Sequence, residues 1–342
     1  RTPLTDSFDN TPAFNPTTDA GATLGRVLFY DRLLSLNGTV SCASCHVQSR
    51  AFTDPRRLSI GFEGDLTGRN SMPLVNLRYY GGGQRDGAMF WDHRADSLET
   101  QVLMPIQDSV EMGLTLDELQ ARVSEATYYP DLFQAAFGDP TVTTTRIAQA
   151  LAQFVRAIAA FDSPFDQAIA QGFRVNEDFP AFSAQENEGK RLFFQPPPNS
   201  PTDRRATCAA CHLPGGPDNL TFFFVDGIKN NGLPDEEDLG FGEVTGLASD
   251  DRKFKSPSLR NVAETGPYMH DGRFQTLEAV IRFYSRGIRP DPNLDPILVG
   301  RDGAPIRFGF NPDQEAALVA FLMTLSDSQV LTDPRFGDPF PQ

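Results

Sequence analysis

The chain has 342 residues, 39% of them apolar, enough for two domains with cores of their own. Its 30 Lys and Arg stand against 45 Asp and Glu; a net charge of −15 argues against nucleic acid or an anionic membrane as partner and leaves room for a basic protein. No apolar run approaches the ~18 residues that cross a bilayer, so no membrane insertion is expected, and 28 Gly with 27 Pro point to long ordered loops.

Residues 18–34 put Leu24, Val27, Leu28 and, less regularly, Leu34 on one face, behind Thr17, Thr18 and Asp19 as capping candidates, and predict a helix. It leads into Cys42-Ala43-Ser44-Cys45-His46. Ile147, Leu151, Phe154, Val155, Ile158 and Phe161 recur at helical spacing and predict a helix that closes the first half. The stretch from Asp162-Ser163-Pro164 to Pro180 reads as a boundary, dividing the chain into residues 1–165 and 166–342. In the second half, Ser183 and Glu186 have capping-box spacing, and Gly189-Lys190-Arg191-Leu192-Phe193-Phe194 echoes Gly25-Arg26-Val27-Leu28-Phe29-Tyr30, an internal duplication at domain scale.

Gln195 to Arg205, with Pro196, Pro197, Pro198 and Pro201, reads as a loop before Cys208-Ala209-Ala210-Cys211-His212. Asp235 to Asp238 reads as a solvated acidic loop. Leu277, Val280, Ile281 and Tyr284 share a helical face, and Asn311-Pro312 starts a closing helix carrying Leu318, Phe321, Leu322 and Leu325. Residues 331–342 are expected to lie back across the surface.

The two C-x-x-C-H motifs use all four cysteines. A lone C-x-x-C is also compatible with half a zinc site or a redox dithiol. Here the pairs lie too far apart in sequence for one compact zinc ribbon, and each has its own histidine. Two thiols three positions apart match the two vinyl edges of one porphyrin, and the adjoining imidazole reaches the iron. The expectation is an all-α protein of two cytochrome c-like domains, each with one covalent haem c, the haems meeting at the domain interface.

These residues resemble the bacterial dihaem cytochrome c peroxidase superfamily, and within it the MauG-like branch. The resemblance rests on both haem motifs, on Phe90-Trp91-Asp92-x-Arg94-Ala95 with Glu111-Met112, on Leu259-Arg260-Asn261-Val262 and on Gly266-Pro267-Tyr268-Met269-His270-Asp271-Gly272, and it spans nearly the whole chain. It implies a periplasmic, exported enzyme, and Arg1 reads as the start of a mature form without its signal peptide. Its N-terminal haem, held by Cys42, Cys45 and His46, would react with hydrogen peroxide; the second, held by Cys208, Cys211 and His212, would relay electrons or store an oxidising equivalent.

The resemblance also implies the remaining roles. Trp91 is the aromatic bridge between haems, although a single Trp is by itself more often a core residue. Glu111 is the distal acid and Pro105 lines the same pocket. Reductively activated members of the family carry a histidine in the loop after the first motif, whereas here Ser59-Ile60-Gly61 is followed by Phe62, which cannot ligate, so an open iron is expected. His93 has no family role and is read as structural.

Met269, His270 and Tyr284 are distal candidates at the second haem. The family register favours Tyr284, fourteen residues after His270, with Met269 the runner-up. An anionic oxygen favours ferric iron and a thioether favours ferrous iron, so the choice decides between storage and relay. Asn70, Thr265 and Pro267 match the family's Ca2+ positions, a set of neutral oxygen donors suited to that cation. The activity expected is MauG-like oxidation of a protein substrate, at Trp. The rivals are peroxide detoxification with electrons from a small cytochrome or cupredoxin, and a non-catalytic dihaem electron carrier.

Overall fold

The computed structural model describes residues 9–79, 88–195, 207–212, 227–235 and 237–340. The loop expected from Gln195 to Arg205 lies, apart from Gln195, outside them. The described residues are mostly helical. Helix α1 spans Asp19–Tyr30 and starts where the Thr18 hydroxyl accepts the Gly21 N–H. It stops short of residue 34 because the Asp31 carboxylate accepts the Leu33 N–H on one oxygen and the Tyr128 and Tyr129 hydroxyls on the other.

The first haem motif forms the single turn α2, Cys42–Cys45. After it come α3 (Leu98–Gln101), α4 (Met104–Gln107), α5 (Leu116–Glu125), α6 (Tyr129–Phe137) and α7 (Thr144–Ala157). Helix α7 ends before Phe161 because Asn76 captures the chain there: its N–H donates to the Ile158 carbonyl, and its side-chain amide pairs with both backbone groups of Ala160.

Helix α8 (Pro164–Ala170) occupies the stretch expected to be a boundary, and its Phe165, with Phe179 downstream, is buried in a second core. That segment is therefore packed structure rather than linker. Beyond it lie α9 (Ala184–Phe194), α10 (Ala209–His212), α11 (Phe241–Thr245), α12 (Leu277–Arg286) and α13 (Pro312–Met323). Strands β1 (Ile228–Lys229) and β2 (Phe254–Lys255) pair antiparallel, with Ile228 opposite Lys255.

Two apolar cores result. The first gathers Leu24, Leu28, Phe52, Ile147 and Phe154, and the second Phe165, Phe193, Leu318 and Phe321. Each is built on a crossed helix pair, α1 on α7 and α9 on α13. A Cβ on Gly25 would sit 1.9 Å from the Ala150 carbonyl oxygen, and one on Gly189 would sit 1.8 Å from that of Ala317. The repeated glycine thus marks the point in each pair where one backbone touches the other.

The C-terminal tail returns over the first core. Val330 joins that core, Gln48 donates to the Asp333 carbonyl at 2.8 Å, and the Tyr30 hydroxyl donates to the Phe336 carbonyl at 2.8 Å. The acidic loop is also different from expectation. Asp235 binds His270 at 3.0 Å and Arg273 at 3.2 Å, and Asp238 takes a two-pronged contact from Arg69 at 2.7 Å, so both carboxylates are structural partners instead of solvated charge.

Candidate functional site

Each haem motif presents its histidine in the same way. After α2 the chain makes a sharp turn through Ala51 (φ 51°) and Phe52 (φ 59°), an uncommon backbone for residues with a Cβ. That turn aims the Phe52 carbonyl at His46, whose Nδ1–H donates to it at 2.8 Å, which makes Nε2, 3.4 Å from the Ser71 hydroxyl, the nitrogen with a lone pair for a ligand. In the second motif His212 Nδ1–H donates to the Pro257 carbonyl at 3.1 Å. No disulfide joins any of the four cysteines, and burial pushes Cys42 and Cys208 up to about 12 and Cys45 up to about 11.

Cys45 and His46 open onto a cavity of about 890 Å3, within the ~300–1,000 Å3 of sites that enclose a small molecule or cofactor. Trp91, Pro105 and Glu111 share its wall. Glu111 is fixed through its backbone, the N–H donating to Asp108 Oδ1 at 3.1 Å and the carbonyl accepting from the Phe62 N–H at 3.2 Å. Burial, reinforced by the Asp108 charge and opposed by Arg94, pushes its carboxyl up to about 7. Phe62 is buried with its ring over Gly113.

A second, narrower cavity of about 180 Å3 is lined by Cys208, Cys211, His212, Met269 and Tyr284. Burial raises the Tyr284 phenol well above the usual range, and a hydrogen bond from Asn231 partly offsets this. The Asn231 amide nitrogen lies 3.1 Å from the phenol oxygen and 3.9 Å from the Met269 sulfur. The third distal candidate, His270, is engaged elsewhere: Nε2 meets Asp235 at 3.0 Å and the ring stacks on Phe254 at 3.7 Å.

Trp91 lines both cavities. Its indole N–H donates to the Asn70 carbonyl at 2.8 Å, its own carbonyl accepts the Lys255 N–H at 2.7 Å, and it is 8% exposed. Asn70, Thr265 and Pro267 each line the second cavity. The Asn70 N–H donates to the His270 carbonyl at 2.7 Å, and its amide to the Arg57 carbonyl at 3.1 Å. His93 packs edge-on against Phe241.

Three residues that sequence reasoning passed over stand here. Lys255 is 3% exposed, lines both cavities, and burial pulls its ammonium down to about 7. Arg69 ties Asp92 to Asp238 beside the indole. Asn231 belongs to Asn230-Asn231-Gly232, which has the signature of a turn and no local sign of a ligand contact.

The donor set suits haem: two thiols outside any disulfide in each motif, an imidazole oriented by a backbone carbonyl on its Nδ1, and a cavity beside each. The family model for di-haem cytochrome c peroxidase matches residues 19–173. A methylamine utilization protein MauG from Methylorubrum extorquens is 35% identical over 95% of this chain and 83% of its own length. A cytochrome c551 peroxidase from Nitrosomonas europaea is 31% identical over 90% of this chain and 80% of its own. A crystal structure of a MauG-like protein associated with microbial copper homeostasis superposes with a TM-score of 0.78 at 33% identity, over 96% of this chain and 95% of that one. Identity at this level over nearly full length, on a helical frame with a haem-attachment motif beside each of two adjoining cavities, makes the chain a member of the di-haem cytochrome c peroxidase family, in its MauG-like branch, and a peroxidase that uses haem.

Proposed function

We propose that the enzyme consumes hydrogen peroxide at the N-terminal haem and passes the oxidising equivalents through the protein to a tryptophan of a protein substrate in the periplasm. When bound, haem supplies the redox chemistry. Cys42 and Cys45 would hold the first haem, with His46 as ligand to its iron; Cys208 and Cys211 would hold the second, with His212 and Tyr284 as ligands. Glu111 takes a proton from one peroxide oxygen and returns it to the other, a task that calls for a carboxyl titrating near the working pH. Burial brings Glu111 to about 7. Pro105 narrows the same pocket. Asn70, Thr265 and Pro267 would supply oxygens to Ca2+ in the wall that carries Trp91. Residues 1–165 form the peroxide-reactive domain and residues 166–342 the electron-transfer domain, with the tail packed back.

The observation that supports this reading best is the place of Trp91, an indole in the wall of both cavities. The test is rapid mixing of peroxide with the diferric protein. Spectral change at both haems without prior reduction is expected, and in Trp91→Phe the second haem should lag while each resting spectrum is retained. Reaction only after one haem has been reduced would favour the alternative of peroxide removal with electrons from a small cytochrome or cupredoxin. The likeness to a cytochrome c551 peroxidase speaks for that alternative.

A further inference from the structure

The second cavity offers two side chains besides His212, Met269 and Tyr284, that could ligate the iron of a bound haem, and the amide of one residue reaches both. Asn231 is pinned on every side. Its Oδ1 accepts the Leu233 N–H at 3.1 Å, which fixes the amide orientation, because a backbone N–H must face the oxygen end. Asn230 Oδ1 accepts the Gly232 N–H at 2.8 Å, the Asn230 carbonyl accepts the Asp295 N–H at 2.9 Å, and the Gly232 carbonyl accepts the Arg289 N–H at 3.0 Å. The amide of Asn231 can therefore offer the cavity only donors. They point at Tyr284 Oη (3.1 Å) and, more distantly, Met269 Sδ (3.9 Å).

These two acceptors respond differently to a donor. A thioether accepts weakly and gains little, whereas a phenolate accepts strongly and its hydrogen bond is charge-assisted. We propose that Asn231 is the positioning residue that selects the distal ligand of the second haem: its N–H holds the Tyr284 oxygen on the iron as an anion and leaves Met269 a bystander. This rests on the reading of Tyr284 as ligand and goes beyond it, because the choice between oxygen and sulfur becomes a property of a residue on another segment, 53 positions away. A hydrogen bond to a charged acceptor is worth enough to move such an exchange roughly ten- to a hundred-fold.

The test is EPR of the purified diferric holoprotein carrying Asn231→Asp, with Tyr284→Phe and Met269→Leu as references. Asn231→Asp keeps the size and the acceptor for Leu233 and turns the donor into an acceptor that repels phenolate. The low-spin signal of the parent should give way to that of Tyr284→Phe, while Met269→Leu stays like the parent. Asn231→Leu, which removes the donor without adding charge, should move in the same direction, and Asn231→Gln should restore part of the parent signal. If Asn231→Asp and Asn231→Leu both keep the parent spectrum while Tyr284→Phe loses it, the selecting role of Asn231 is wrong and the ligand stands. If Tyr284→Phe itself keeps the parent spectrum, the ligand assignment fails, and the selection with it.

Discussion

At the residue scale the proposed reaction with peroxide turns on Glu111. A general base acts as carboxylate, so with its carboxyl raised to about 7 by burial the reactive form grows as pH rises from 6 to 8. The rate of reaction with peroxide should rise across that window in the parent. Glu111→Gln should lose roughly 10^2- to 10^4-fold of it and show no such rise, with haem content unchanged; stopped-flow rates over a pH series check both. A mutant as fast as the parent would remove Glu111 from the mechanism. The two C-x-x-C-H motifs stand out in the sequence because thioether attachment needs two thiols and an imidazole within five consecutive positions. Asn231 does not, since only folding brings its amide to a phenol 53 residues away.

At the scale of elements, the duplicated Gly-x-x-Leu-Phe pattern has a physical cause. Gly25 and Gly189 each let one helix lie on the backbone of another, and a Cβ at either would fall inside a carbonyl oxygen. Gly25→Ala or Gly189→Ala should cost about 1–3 kcal/mol through forced separation of α1 from α7 or α9 from α13. Calorimetric melting should show this as a lower Tm, and an unchanged Tm would mean that the pairs tolerate a wider crossing. These four helices were readable from apolar periodicity and caps. The ends of α1 and α7 were not: Asp31 stops α1 through phenols from α6 and the residue before it, and Asn76 stops α7 from a remote loop, contacts that no local pattern announces.

At the scale of the whole molecule, the two halves are joined where the indole sits. Arg69 reaches Asp92 in the first half and, 169 residues further along the chain than Arg69 itself, Asp238 in the second; the next residue, Asn70, holds the Trp91 N–H. The Arg69 side chain is 17% exposed and that of Asp92 4%. Arg69→Met should therefore cost about 2–4 kcal/mol, less than a fully buried pair because water screens part of it. Urea unfolding should register that loss, and electron exchange between the haems should slow; unaltered unfolding would make the ion pairs ornamental. The acidic loop read as solvated from its charge alone because its cationic partner is so distant in the chain.

The division of labour between the two haems is tested most directly by EPR of the untreated diferric protein, quantified against its iron content. Two irons per chain are expected, one high-spin and five-coordinate beside His46, the other low-spin with nitrogen and oxygen axial ligands. A single iron, or two low-spin centres with no high-spin signal, would contradict it.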